Sequence, residues 1–194
     1  MKSNSWKLKD IILLANMALV FGAIGLAAVH FQGFLGMLLG SFGLQPLSVS
    51  ILYGVWIMPA LLAPYIIQKP GTATITEILA AVIQALLGSF YGPRVIVSGL
   101  IQGLGAEGVF AAFRYRRFDL KSMCLAAATC ATVSFPWTYW SLGYGDLAPW
   151  LIALVLAVRL ISAVLIAGVL CKLIGDALAK TGLLKSYPLG KSDE

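Results

Sequence analysis

Apolar residues run through this chain in long blocks rather than in strict alternation, and polar residues interrupt them at about the spacing that one bilayer crossing requires, roughly 20 residues. The blocks predict six helices, over residues 8–30, 47–67, 72–90, 94–113, 122–140 and 148–179. Turn chemistry separates them: Gln68-Lys69-Pro70-Gly71, Tyr91-Gly92-Pro93, the basic stretch 114–121, and the loop from Ser141 to Asp146. Residues 31–46 contain four glycines yet stay apolar, and they read as a partly inserted loop that other helices must bury. Pro59 and Pro64 predict a kink in the second helix. The first block follows Trp6, Lys7 and Lys9, and it leads into more membrane-type sequence, so it reads as a retained helix rather than a cleaved signal. Lys172, Asp176 and Lys180 mark the last helix as wet at its end.

Composition turns these helices into membrane spans. Of 194 residues, 60% are hydrophobic and 11% charged, with a mean hydropathy of +0.91, against about 25% charged in a soluble domain. A soluble fold of this length has too little interior to hide so much apolar surface. The expectation is an all-α, polytopic membrane protein, a single transmembrane domain over residues 1–194. No internal repeat is evident, which removes support for an inverted-repeat transporter.

Charge sets the orientation. Numbering the helix ends alternately places Lys2, Lys7, Lys9, Lys69, Arg114, Arg116, Arg117, Lys121, Lys172, Lys180, Lys185 and Lys191 on one side and Arg94 alone on the other. The positive-inside rule makes the rich side, and both termini, cytoplasmic. The net charge of +6 is thereby explained by topology, and nucleic acid is not an expected partner. Cys124, Cys130 and Cys171 lack the paired spacing of a metal site and read as small buried hydrophobes.

Four ionisable groups lie within or at the edge of the spans: Glu77, Arg94, Glu107 and Arg159. Such groups are expensive in lipid and face the protein interior, a cavity or each other. A buried ion pair between Arg159 and one of the two acids is the plainest reading, leaving the other acid for a ligand; which is which stays open. On the third helix Glu77, Ala81, Gln84 and Gly88 share a face. That polar and small stripe suits either close helix packing or a flat heterocycle held by a carboxylate and an amide. Gly99, Gly103 and Glu107 form a similar stripe on the fourth helix, with Gln102 offset. Trp137, Tyr139 and Trp140 behind Pro136 supply aromatic faces for a planar or cationic ligand or for an interfacial belt, while Tyr53 and Trp56 occupy the middle of the second helix, where the belt explanation fails for Trp56. His30 is the only histidine, so catalytic triads and metal sites lack their parts, and no phosphate loop is present. Neither a catalytic residue, a metal nor a cofactor is expected. A small membrane enzyme and a structural scaffold are the competing classes.

The start Trp6-Lys7-Leu8-Lys9-Asp10-Ile11-Ile12, the run Tyr91-Gly92-Pro93-Arg94, the segment Gln102-Gly103-Leu104-Gly105-Ala106-Glu107 and the Trp137–Trp140 cluster resemble the YkoE family. Its members are substrate-capture (S) components of energy-coupling-factor (ECF) transporters. The resemblance implies the six-helix S-component fold in a bacterial plasma membrane and uptake of thiamin or its hydroxymethylpyrimidine precursor, a different small vitamin being the alternative. It also implies a transmembrane coupling (T) subunit and cytoplasmic ABC ATPases as partners. On this reading Glu77, Gln84 and Glu107 hold the ligand's rings by hydrogen bonds while Tyr53, Trp56, Trp137 or Trp140 stack on them. Residues 31–46 would be the outer lid. The helix-1 docking pattern of many S components has two candidates here, Ala18-xxx-Gly22 and Ala23-xxx-Ala27.

Overall fold

A computed structural model describes residues 6–191; Lys2 lies outside them, as do both termini. The regular elements among the described residues are all helical, without strands. Helix α1 (Leu8–Gly40) is followed by a second span in three pieces, α2 (Leu47–Ile51), α3 (Tyr53–Trp56) and α4 (Met58–Ile67). Then come α5 (Thr72–Leu86) and α6 (Arg94–Ala112). The fifth span is α7 (Leu120–Val133) plus α8 (Phe135–Ser141), and the sixth is α9 (Pro149–Ser162), a π-helical stretch (Ala163–Leu170) and α10 (Cys171–Lys180). Among the described residues, three helical rods are long and apolar enough to cross a membrane: Leu8–Gly40, Arg94–Ala112 and Pro149–Lys180.

The first span corrects the expected loop. Residues 31–40 continue α1 without a break, and only 41–46 form the connection, turning at Gly43 with φ +70°. The run holds no proline, and in an apolar setting a chain keeps its hydrogen bonds by staying helical even through glycines. Gly36 also places α1 close to Ser48. At 33 residues, α1 is about 50 Å long, well beyond a hydrocarbon core of about 30 Å.

The second span breaks at Leu52 and Ile57, both with ψ near 0°, ahead of the prolines that were expected to kink it. Pro59 instead opens α4, where its missing N–H costs nothing, and Pro64 is carried inside α4. Side chains from other spans satisfy the exposed backbone. Gly54 N–H donates to Ser162 Oγ (3.0 Å), whose hydroxyl donates to Ile51 C=O (2.7 Å). Ala60 N–H donates to Glu77 Oε2 (3.0 Å). Every residue of α4 is buried, making it the central helix of the bundle.

Helix α5 ends at Leu86, short of the expected residue 90, and the chain turns at Gly88 with φ +94°. Its N-terminus presents donors with no partner in their own helix. Glu107 of α6 takes them: Gly71 (2.6 Å), Ala73 (2.9 Å) and Thr74 (3.2 Å) N–H all donate to its carboxylate, as does the Tyr115 hydroxyl (2.5 Å). Burial and the adjacent Glu107 carboxylate push the Tyr115 phenol above its ordinary range, so it remains a donor at neutral pH. Between these helices a Cβ on Gly99 would meet Ala81 at 2.8 Å, and one on Gly103 would meet Thr74 Cα at 2.7 Å. The glycine stripe of α6 is therefore a packing surface.

At the end of the bundle holding Glu107, Lys69 pairs with Asp10 at 2.6 Å, Lys9 Nζ reaches Ser186 C=O, and the Tyr187 hydroxyl donates to Lys9 C=O at 2.9 Å. The loops carrying most of the basic residues gather there. Arg94, directed at Ser141 C=O (3.5 Å), marks the opposite end. Removing the Glu107 carboxylate strands three backbone donors. Glu107→Ala is expected to destabilise the detergent-solubilised protein by about 1–3 kcal/mol, read as a lowered thermal unfolding midpoint; an unchanged midpoint would contradict the capping role.

Candidate ligand-binding site

One cavity combines open space with convergent polar groups. It lies among α1, α3, α5, α6, α8 and α9 and spans about 800 Å³ of space between protein atoms, the open solvent at its mouth included. Its deep part is formed by Glu77, Tyr53, Gln102 and Arg159, its walls by Trp56, Gln84, Ala81 and Trp137, and its mouth by Tyr91, Arg94, Ser141 and Leu142. The cavity lies beside the helix breaks: Tyr53 and Trp56 of the short α3 and Trp137 of the short α8 line it.

The α5 stripe faces this cavity. Glu77 (3% exposed) and Gln84 (5% exposed) are buried along it, seven residues and thus about 10 Å apart along the axis. One carboxylate oxygen of Glu77 is occupied by Ala60 N–H, which leaves the other to the cavity. Gln84 lies against Gly25, where a Cβ would meet its Oε1 at 2.6 Å, and its amide is set toward Ser89 Oγ at 3.5 Å. Trp56 is held by its Nε1–H donating to Gly25 C=O (3.2 Å), and Trp137 by donation to Ser98 Oγ (2.9 Å). Both indoles are thus anchored at their polar edge while they line the cavity.

Of the seven residues expected to bind ligand, five line the cavity: Tyr53, Trp56, Glu77, Gln84 and Trp137. Glu107 does not, because the helix terminus it caps lies toward the other end of the bundle. Trp140 stacks near Trp137, with ring centroids 5.5 Å apart, but is 73% exposed outside the cavity. Tyr53 lines the deep part with one ring face already covered, since the Arg159 guanidinium carbon sits 3.6 Å from its centroid.

The expected ion pair of Arg159 with Glu77 or Glu107 is not formed; the salt bridges among the described residues are Lys69–Asp10 and Lys172–Asp176. Arg159 Nε–H donates to Ala131 C=O (3.2 Å) and its Nη2 to Ser134 Oγ (2.8 Å). Ser134 is the break between α7 and α8, forced by Pro136, so the last turn of α7 is open to outside donors. A delocalised guanidinium is weakly hydrated and tolerates neutral acceptors plus an aromatic face better than an ammonium would.

Sequence reasoning placed Arg94, Arg159 and Gln102 near the membrane interior without assigning them to the site, and it missed Tyr91 and Ser98. Their signal was present in part: Gln102 is offset from the glycine stripe, and this offset turns it away from the α5–α6 contact toward the cavity. Tyr91 donates to Gln32 Oε1 (2.7 Å), and Gln32 donates to Ser48 Oγ (3.0 Å), tying the α5–α6 loop to α1 and α2 beside the mouth. Burial pushes the Tyr91 phenol up to about 12, so this link carries its proton at physiological pH.

Comparison with known proteins agrees with this architecture. The family model described as "ABC-type cobalt transport system, permease component" matches residues 9–133. The putative HMP/thiamine permease protein YkoE of Bacillus subtilis (strain 168) is 40% identical over 187 residues, spanning 96% of this chain and 92% of that protein. A crystal structure of an S-component of an ECF transporter superposes with a TM-score of 0.90 at 40% identity, covering 97% of this chain and 93% of that one. A six-part helical bundle of apolar rods, alike from end to end to these proteins, places the chain in the plasma membrane as a transport subunit and not an enzyme: it belongs to the YkoE family of S components of ECF transporters.

Proposed function

We propose that this S component captures thiamin or its hydroxymethylpyrimidine precursor from outside the cell and that the cavity lined by Glu77, Gln84, Trp56 and Trp137 is where the ligand sits. The observation that carries this reading is the pairing of a buried carboxylate and amide on one face of α5 with two anchored indoles across the same space. An aminopyrimidine donates and accepts hydrogen bonds in one plane, which matches Glu77 and Gln84. A thiazolium is a permanent cation, and Trp faces attract it. The likeness to a putative HMP/thiamine permease supports the same choice. Among the described residues no three His, Cys, Asp or Glu side chains converge as a metal would need, which favours an organic ligand over the cobalt of the family description.

The orientation proposed is that the end rich in Lys and Arg is cytoplasmic and the mouth beside Arg94 opens outward. Uptake then depends on a T subunit and cytoplasmic ATPases. Of the two small-residue pairs in α1, Ala18 and Gly22 are buried against the bundle, and a Cβ on Gly22 would meet Ile83 at 2.7 Å. Ala23 and Ala27 face outward and are the proposed T-subunit contact. Ala27→Trp is expected to abolish co-purification with that subunit while the isolated chain still binds ligand; retained co-purification would remove this face.

The ligand is tested by titrating the purified chain with thiamin and with hydroxymethylpyrimidine while following Trp fluorescence. Saturable quenching is expected, with affinity reduced about 10- to 100-fold by Glu77→Gln or Trp137→Ala. Folded protein that shows no saturable change with either compound would reject this assignment.

A further inference from the structure

The charged side chains lining the cavity are Arg94, Arg159 and Glu77, two cations against one anion. A ligand that is itself a cation leaves that imbalance larger when it enters. Arg94 stands at the exposed mouth, while Arg159, which is 1% exposed, shares the deep part with Glu77 but meets no carboxylate within ion-pair distance. Its guanidinium has five donors. One from Nε goes to Ala131 C=O and one from Nη2 to Ser134 Oγ; among the described residues no acceptor is set against the Nη1 pair. The group is fixed in place by those two bonds and by the Tyr53 ring. It therefore offers a rigid fork to the cavity with little side-chain freedom left to lose. The Gln102 side chain, 8% exposed, lines the same deep region and is likewise without a hydrogen-bond partner among the described residues.

We propose that the deep part of the cavity is an oxyanion subsite formed by Arg159 and Gln102, with Arg94 at the mouth adding to the field, and that the preferred cargo is a phosphate monoester of the heterocycle. This rests on the assignment of the cavity to a thiamin-type ligand and deepens it. A planar fork of unused donors lining the cavity matches phosphate geometry. With a monoester of thiamin the thiazolium keeps the Trp faces, while the phosphate offsets the arginines. Carboxylate capture by Glu77 alone would leave the fork unpaired.

The test uses the purified full-length chain and two probes, thiamin and thiamin monophosphate, each titrated at fixed ionic strength against native protein, Arg94→Gln and Arg159→Lys. The native protein is expected to bind the monoester about tenfold or more tightly than thiamin. Arg94→Gln, at the exposed rim, is expected to shift the two ligands in opposite directions, weakening the monoester and tightening thiamin by about two- to fivefold each. Arg159→Lys, which keeps the charge and loses the fork, is expected to remove most of the monoester's advantage. If Arg159→Lys fails to fold, the opposite shifts in Arg94→Gln still decide the matter. A monoester that binds no tighter than thiamin, or an Arg94→Gln change that moves both ligands the same way, overturns the oxyanion subsite and leaves thiamin capture standing. Failure of the folded native protein to bind either probe removes both readings.

Discussion

A backbone N–H or C=O inside hydrocarbon must find a partner within the protein, and that demand organises this bundle. The second span is cut at Leu52 and Ile57, the fifth at Ser134, and α5 begins within the bundle beside Gly71. Each interruption exposes donors or acceptors that a continuous helix would have used internally. Ser162 bridges Gly54 and Ile51, Glu77 takes Ala60, Glu107 takes the start of α5, and Arg159 reaches the opened turn at Ala131 and Ser134. The polar residues of the spans are thus fixed first by the backbone of neighbouring helices.

The cavity lies beside the same breaks. Tyr53 and Trp56 of α3 and Trp137 of α8 line it, and the polar caps Glu77 and Arg159 that repair the breaks lie alongside. Glu77 shows the economy of this arrangement: one oxygen closes the N-terminus of α4 and the other faces open space. Arg159 shows its cost, a buried charge balanced by neutral acceptors and a ring rather than by an acid. A capture subunit profits from such a site, because its donors and acceptors are already oriented before the ligand arrives.

The spans were legible because hydrophobic blocks of membrane length leave few alternatives, and the α5 stripe was legible because Glu77, Ala81 and Gln84 recur at helical spacing. What the sequence hid has physical causes. Glycines in residues 31–40 look like a loop to propensities measured in water, yet in lipid they extend α1. Glu107 looked like a ligand contact because depth and charge alone cannot reveal that α5 starts beside it. Arg159 looked like half of an ion pair because the break at Ser134, which supplies its acceptors, depends on how Pro136 is accommodated in three dimensions.

Everything functional in this account depends on the cavity being open to the outer face and occupied by the ligand there. Ser98, on the cavity wall next to Trp137, reports on both. In a chain with Cys124, Cys130 and Cys171 replaced by alanine and Ser98 by cysteine, a membrane-impermeant maleimide added to intact cells should label the new thiol. Saturating thiamin should protect it. Labelling only in inverted vesicles, or labelling that is indifferent to thiamin at any concentration, would contradict the account.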